Sequence, residues 1–197
     1  MGFRALRVIN EDRIAPAHGY GTQTHRDVEI VTYILEGALR HQDSVGTDVI
    51  VSAGALQRMS AGTGILHGEL NPSDSDPLHL LQIWITPERM RRMPSYEQRA
   101  FPLAGRQRRL TLIASRDGRD GSVIIHQDVA IFSCLLQTAE TASLVLQPGR
   151  HAWVQVVRGS VQLNGVPLIE GDGASVSHVA LEVRSSSASE TLLFDLA

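Results

Sequence analysis

The feature that most constrains this chain is its punctuation. Strand-length runs of β-branched, aromatic and aliphatic residues are each closed by a turn signal, and no 3.6-residue apolar period is sustained. Val28 to Leu35 is such a run and stops at Glu36-Gly37. Leu78 to Ile85 is largely apolar and ends at Thr86-Pro87. Leu110 to Ala114 and Ser122 to Ile125 flank a double Asp-Gly signal, Asp117-Gly118 and Asp120-Gly121. Trp153 to Val157, Val161 to Leu163 and Thr191 to Leu196 read as further short strands, and Asn164-Gly165 is the strongest two-residue hairpin signal in the chain. One short helix is expected near Pro87 to Met93. Many short strands joined by Gly-rich turns make a barrel or a sandwich. At 197 residues, the chain can bury one large all-β core or two small ones.

A faint internal repeat favours two. Tyr33-Ile34-Leu35-Glu36-Gly37-Ala38-Leu39 is echoed by Gln155-Val156-Val157-Arg158-Gly159-Ser160-Val161, about 120 residues later. Each is followed by a second glycine, Gly54 in the first half and Gly171 in the second. Between the halves, Arg89 to Arg109 holds seven arginines with Pro94 and Pro102 and reads as a solvated connector. It lacks the interleaved aromatics of a nucleic-acid surface.

Composition removes several function classes. A net charge of −3 draws the chain neither to nucleic acid nor to an anionic membrane. All 18 basic residues are Arg, a codon-bias signature of a GC-rich bacterium. With Cys134 alone, neither an internal disulfide nor a cysteine-built zinc site is open. Cys134 sits in an apolar run, Ile131 to Leu136, and reads as an inert core thiol. No apolar stretch approaches the ~18 residues of a membrane span, and no signal-peptide pattern is present. The expected location is cytoplasmic.

The residues that point to chemistry come in pairs. Gln23-Thr24-His25 and His67-Gly68-Glu69 each set two ligand-type side chains at i and i+2. On a strand such side chains share a face, roughly 6.6–6.8 Å apart. If the two strands are neighbours, one amide, two imidazoles and one carboxylate converge: Gln23, His25, His67 and Glu69. Such a mixed nitrogen and oxygen set suits iron, manganese, nickel or copper better than a structural zinc. Two imidazoles and a carboxylate leave positions open for substrate or oxygen. Ser60-Ala61-Gly62-Thr63-Gly64, ahead of the second pair, allows close approach of backbone to a site. His41, His79 and His126 lie in or beside strands and read as structural. His151 and His178 lack a partner at strand spacing and read as structural or surface residues, while His18 is placed at a pocket mouth.

The same residues carry a resemblance. Gly19-Tyr20-Gly21-Thr22-Gln23-Thr24-His25-Arg26-Asp27-Val28-Glu29, followed by Thr32-Tyr33-Ile34-Leu35-Glu36-Gly37, resembles the metal-strand block of pirins. His41-Gln42-Asp43-Ser44 and Met59 to Glu69 continue it, and Met1 to Asn10 and His126-Gln127-Asp128 extend the likeness over nearly the whole chain. The resemblance implies an all-β bicupin of two tandem jelly-roll-like barrels, with residues 1–105 carrying the metal and residues 106–197 carrying no ligand set. The metal would be one divalent transition ion, iron first, with manganese, nickel, copper and zinc as alternatives.

Some pirins are quercetin 2,3-dioxygenases, which implies O2 and a flavonol or other enol-bearing aromatic as substrates, with Glu69 as ligand and catalytic base. Others are transcriptional co-regulators, which implies instead a regulatory, partner-binding protein. The family's His-x-His falls on Gln23 and His25, and its His-x-Glu on His67 and Glu69. Position 23 thus carries an amide in place of an imidazole, which implies weaker metal binding. Pirins also ordinarily carry several tens of residues ahead of the block that starts here at Met1.

Overall fold

Period-2 burial organises the strands. The strand Ile65–Leu70 alternates buried and open positions, as does Ala180–Ser185, whereas Glu29–Glu36 and Leu78–Ile85 are buried on both faces along nearly their whole length. Alternation marks a strand with one face on a core, and double-sided burial marks a strand at the centre of a sheet. The computed structural model describes residues 2–177 and 180–197, with position 104 described in its backbone only. The chain is all-β. No helix among the described residues is long and apolar enough to cross a membrane.

Two units emerge, Met1–Phe101 with Val123–Gln127, and Pro102–Ser122 with Asp128–Ala197. The first contains β1 (Leu6–Ile14), β2 (Gly19–His25), β3 (Glu29–Glu36), β4 (Ala38–Asp43), β5 (Asp48–Ser52), β6 (Ala55–Ser60), β7 (Ile65–Leu70), β8 (Leu78–Ile85) and β9 (Ser95–Ala100). They form two antiparallel sheets ordered β1-β8-β3-β6-β9 and β2-β7-β4-β5. One apolar cluster draws Ile14, Ile34 and Leu80 from the first sheet and Leu39 and Val51 from the second, so the sheets pack face to face.

The second unit begins with β10 (Thr111–Ser115). The short β11 (Val123–Ile124) belongs to the first unit. The remaining strands are β12 (Val129–Leu136), β13 (Thr141–Val145), β14 (His151–Arg158), β15 (Ser160–Leu163), β16 (Val166–Ile169), β17 (Gly173–Ser177), β18 (Ala180–Ser185) and β19 (Ser189–Leu196). The order β12-β19-β14-β17 in one sheet and β13-β18-β15-β16 in the other repeats β1-β8-β3-β6 and β2-β7-β4-β5.

The turn glycines that carried the sequence repeat do the same work in both units. Gly37 (φ 74°) joins β3 to β4, and Gly159 (φ 75°) joins β14 to β15. A Cβ at Gly37 would lie 2.6 Å from the Pro77 carbonyl oxygen, and one at Gly159 2.2 Å from that of Ala188. Both the left-handed backbone and the close approach therefore demand glycine. Asn164-Gly165 forms the expected tight hairpin, with Leu163 paired to Val166 and positive φ at both turn residues.

Three local expectations are corrected. Pro87 to Met93 is not helical: Arg91 takes φ 57°, and its N–H donates to Asp27 Oδ1 at 2.6 Å. The N–H of Thr63 donates to the Arg92 carbonyl, so backbone partners outside the segment replace helical ones. The close approach foreseen at Gly62 is to Arg92 of this same segment. Within the Arg-rich stretch, Ser95–Ala100 is a strand paired with β6. Arg106 is buried, donating to Ser133 Oγ and lying 3.3 Å from Glu190 Oε1, so this part is structure and not a solvated connector. Cys134 is buried, and burial pushes its thiol up to about 12, in keeping with an inert core residue.

Candidate metal centre

Alternation along β7 sends Ile65, His67 and Glu69 inward and Leu66 and Leu70 outward. The neighbouring strand β2 pairs with β7 so that Gln23 stands opposite His67 and Tyr20 opposite Glu69, with an irregularity between them. On the other side of β7, β4 sets His41 opposite Glu69 and Asp43 opposite His67. Directly opposed residues share a sheet face, so side chains from three strands meet over one patch.

What they meet in is a polar layer inside an apolar barrel. On β3 the inward series is Ile30, Thr32, Ile34; on β6 it is Ala55, Gln57, Met59; on β8 it is Leu80, Gln82, Trp84. In each series one outer member belongs to the cluster around Leu39 and Val51. The other belongs to or packs on the cluster around Ile65 and Met59. The middle members carry hydrogen bonds. Gln57 Nε2 donates to Glu69 Oε1 at 2.7 Å and to Thr32 Oγ1 at 3.2 Å, and Gln82 Nε2 donates to Glu69 Oε2 at 3.0 Å. Tyr96 Oη donates to Gln57 Oε1 at 2.8 Å, and Trp84 Nε1 to Gln82 Oε1 at 2.9 Å, fixing both amides. Glu69 is thereby held by both oxygens in a chosen orientation.

The four residues singled out by spacing fare differently. His67 and Glu69 are each 2% exposed, His25 is half-buried, and Gln23 is exposed. The ring centroids of His25 and His67 lie 4.9 Å apart. Gln23 Oε1 lies 3.3 Å from His25 Nε2, so the amide is engaged with its strand neighbour. The residue that spacing missed is His41, fully buried, whose ligand atoms lie with those of His67 and Glu69 within 4.8 Å of one another. Its signal was present: His41-x-Asp43 is a third pair at i and i+2. Gln57, Gln82 and Tyr96 were also missed, because their role exists only once β3, β6, β8 and β9 lie side by side.

The other histidines stay structural. His79 Nε2 meets Glu11 at 2.8 Å, His126 Nδ1 meets Ser60 Oγ at 2.9 Å, and His151 Nδ1 meets Ser177 Oγ at 2.7 Å. His18 binds the Pro16 carbonyl and does not line the cleft described below. His178 lies outside the described residues.

The donor set fits a divalent transition metal. Both ring nitrogens of His67 are buried without a hydrogen-bond partner, an arrangement a protein seldom keeps unless something else binds there. Burial, together with the nearby His25 and His41 and against the pull of Glu69, brings the His67 imidazole down to about 4, leaving it neutral and ligand-ready. Burial also lowers His25, with Glu69 opposing. At His41 burial acts downward, but Glu69 and Asp43 outweigh it and raise the imidazole above its ordinary value. Above the layer opens a cleft of about 220 Å3, walled by Tyr20, His25 and Trp84 and reaching Gln82, with Asn10 and Asp12 at its polar side.

Among its described residues, the second unit has no such layer. Counting from the two turn glycines, Ile30, Thr32 and Ile34 correspond to Ala152, Val154 and Val156, and His41 corresponds to Leu163. Val183 stands opposite Leu163 as Glu69 stands opposite His41, and Leu181 takes the place of His67. All six belong to one buried apolar cluster.

Comparison with known proteins agrees with this geometry. The pirin family profile matches residues 1–85, and the quercetinase C-terminal cupin domain profile matches residues 112–196. Quercetin 2,3-dioxygenase of Escherichia coli is 48% identical over 100% of this chain and 84% of its own length. A putative quercetin 2,3-dioxygenase of Pasteurella multocida is 43% identical over 98% of this chain and 83% of its own length. Among solved structures, the bacterial pirin YhhW of Escherichia coli in complex with nickel(II) superposes with a TM-score of 0.93 at 47% identity, covering 100% of this chain and 84% of that one. With both halves matched in sequence and the two-cupin architecture matched in structure, this chain belongs to the pirin family.

Proposed function

We propose that this chain is a metal-dependent dioxygenase acting on a flavonol such as quercetin or on another enol-bearing aromatic, with O2 as co-substrate. One observation carries the reading: His67, buried with both ring nitrogens unpartnered, sits beside an oriented Glu69 next to an aromatic-walled cleft. The relatives named quercetin 2,3-dioxygenase support it. His25, His67 and Glu69 would hold one divalent ion in residues 1–105, with Gln23 as a weak ligand or as the partner that orients His25. Residues 106–197 would take no part in metal binding. Iron is the first candidate, with manganese, nickel, copper and zinc as alternatives; the nickel(II) complex of the E. coli relative supports a divalent ion. When bound, the ion supplies Lewis acidity and a template for substrate and oxygen.

The chain's own residues define the rest. The cleft is smaller than the ~300–1,000 Å3 of sites that engulf a drug-sized ligand, so a flavonol enters by one ring system. Trp84, held by Gln82, offers that ring an apolar wall. Tyr20 and Asp12, both lining the cleft, present polar atoms to substrate hydroxyls. Glu69 would take the proton of the enolic hydroxyl as catalytic base. The apolar clusters around the layer keep bulk water from it. The lone buried cysteine is in keeping with a cytoplasmic setting, and no direct nucleic-acid or membrane partner is part of the reading.

Elemental analysis of protein purified without chelators, followed by oxygen uptake with quercetin, tests the proposal. One metal per chain and oxygen consumption that tracks quercetin loss are expected. Full metal loading without turnover would move the protein to the second reading, a regulatory or partner-binding cupin. That reading is favoured by the amide at position 23, bonded to His25 where the family carries an imidazole.

A further inference from the structure

We propose that His41 is a metal ligand in this chain, supplying from β4 the imidazole that position 23 on β2 lacks. The proposal rests on the metal-centre reading above and goes beyond it by changing which strands build the site. His41 is fully buried, and its Nδ1 has no hydrogen-bond partner. That atom lies 3.7 Å from Glu69 Oε1, beyond hydrogen-bond reach. The ligand atoms of His41, His67 and Glu69 come within 4.8 Å of one another, close enough for one small cation to touch all three. Two imidazoles and a carboxylate are a donor set for a borderline divalent ion.

The far side of the ring is prepared as a ligand's should be. His41 Nε2 lies 3.1 Å from Asp43 Oδ2, and Asp43 Oδ1 accepts the backbone N–H groups of Val45 at 2.9 Å and Thr47 at 3.0 Å. A carboxylate fixed in this way accepts the Nε2–H hydrogen bond, and in that tautomer the Nδ1 lone pair faces inward, the arrangement that orients metal-binding histidines. Tyr96 stacks on the ring, with centroids 4.7 Å apart at 28°, and prevents its rotation. Gln23 shows none of these traits: it is exposed, and its oxygen is taken by His25. His41, His67 and Glu69 thus form the core of the centre, and His25, half-buried at the cleft, closes it.

The test uses the full chain, stripped of metal and titrated with Ni2+ or Cu2+. Wild type should bind one equivalent. His41→Ala should lose at least ~10-fold in affinity, the scale on which even outer-shell changes act, while His151→Ala binds as wild type does. Pulsed EPR of the Cu2+ form should count one fewer imidazole nitrogen in His41→Ala than in wild type. Should that variant fail to fold, nitrogen-15 spectra of wild type with Zn2+ answer the question directly, because coordination shifts the His41 Nδ1 resonance. Wild-type affinity and nitrogen count in His41→Ala, or an unmoved His41 resonance with metal bound, overturns the assignment and leaves the metal centre standing. A wild type that binds no metal overturns both.

Discussion

An imidazole buried with unpaired ring nitrogens is held at a cost of about 1–3 kcal/mol for each unsatisfied group, and His67 carries two of them. A cation bound at one of these nitrogens removes that nitrogen's share of the cost, so the residue matters most where it looks least stable. His67→Ala is expected to abolish metal binding, because the ring it deletes lies between His25 and His41, at 4.9 and 5.5 Å from their centroids. Metal content after dialysis checks this, and full occupancy in the variant would refute the assignment. Gln23→His tests the opposite direction. Position 23 stands opposite His67 on the same sheet face, so an imidazole there adds a donor without moving the backbone. Competitive titration should show affinity rising by at least ~10-fold, about 1.4 kcal/mol. Unchanged affinity would mean that a side chain at this position does not reach the centre.

The elements are stiffened by their turns, and the turns make separable predictions. Gly37→Ala meets both an unfavourable φ and a backbone oxygen at 2.6 Å. Gly165→Ala meets only an unfavourable φ of 83°, with nothing within 4 Å of the new methyl. Denaturant titration should place the cost of Gly37→Ala above the ~1–3 kcal/mol range of backbone strain alone, and that of Gly165→Ala within it. Equal losses would mean that the Pro77 carbonyl gives way. Strands were legible because their signals are local: Leu78–Ile85 matches the run read from the sequence, and the Asn164-Gly165 hairpin closes where its dipeptide said it would. His67 and Glu69 were legible for the same reason, as an i, i+2 pair on an alternating strand. His41-x-Asp43 carries the same signal, but His41 reads as structural from the sequence, because nothing local ties β4 to β7. The layer of Thr32, Gln57 and Gln82 was not legible. It consists of one polar residue on the inward face of each of three strands, and only long-range pairing makes them neighbours. Pro87 to Met93 failed in the same way, its backbone bonds being made to Asp27 and Thr63.

At the scale of the whole molecule, one strand order is used twice with opposite interiors. The first unit keeps His41, His67 and Glu69 where the second keeps Leu163, Leu181 and Val183. Each unit also carries one tryptophan, Trp84 in the first and Trp153 in the second, so each reports on its own surroundings. With Trp153→Phe to isolate the Trp84 signal and Trp84→Phe to isolate that of Trp153, Ni2+ should raise the unfolding midpoint seen by Trp84 more than that seen by Trp153. Saturation at a hundredfold over the dissociation constant is worth about 2.7 kcal/mol. Equal shifts would show that the two halves unfold as one.

The buried, unpaired His67 has a consequence outside chemistry. A half that its metal stabilises opens more often when empty, and degradation of transiently opened chains follows the population of the open form. Metal supply would then set how long each copy of the protein survives, with apo chains cleared first. Limited proteolysis with and without Ni2+ should show the earliest cuts of the apo protein falling within residues 1–101.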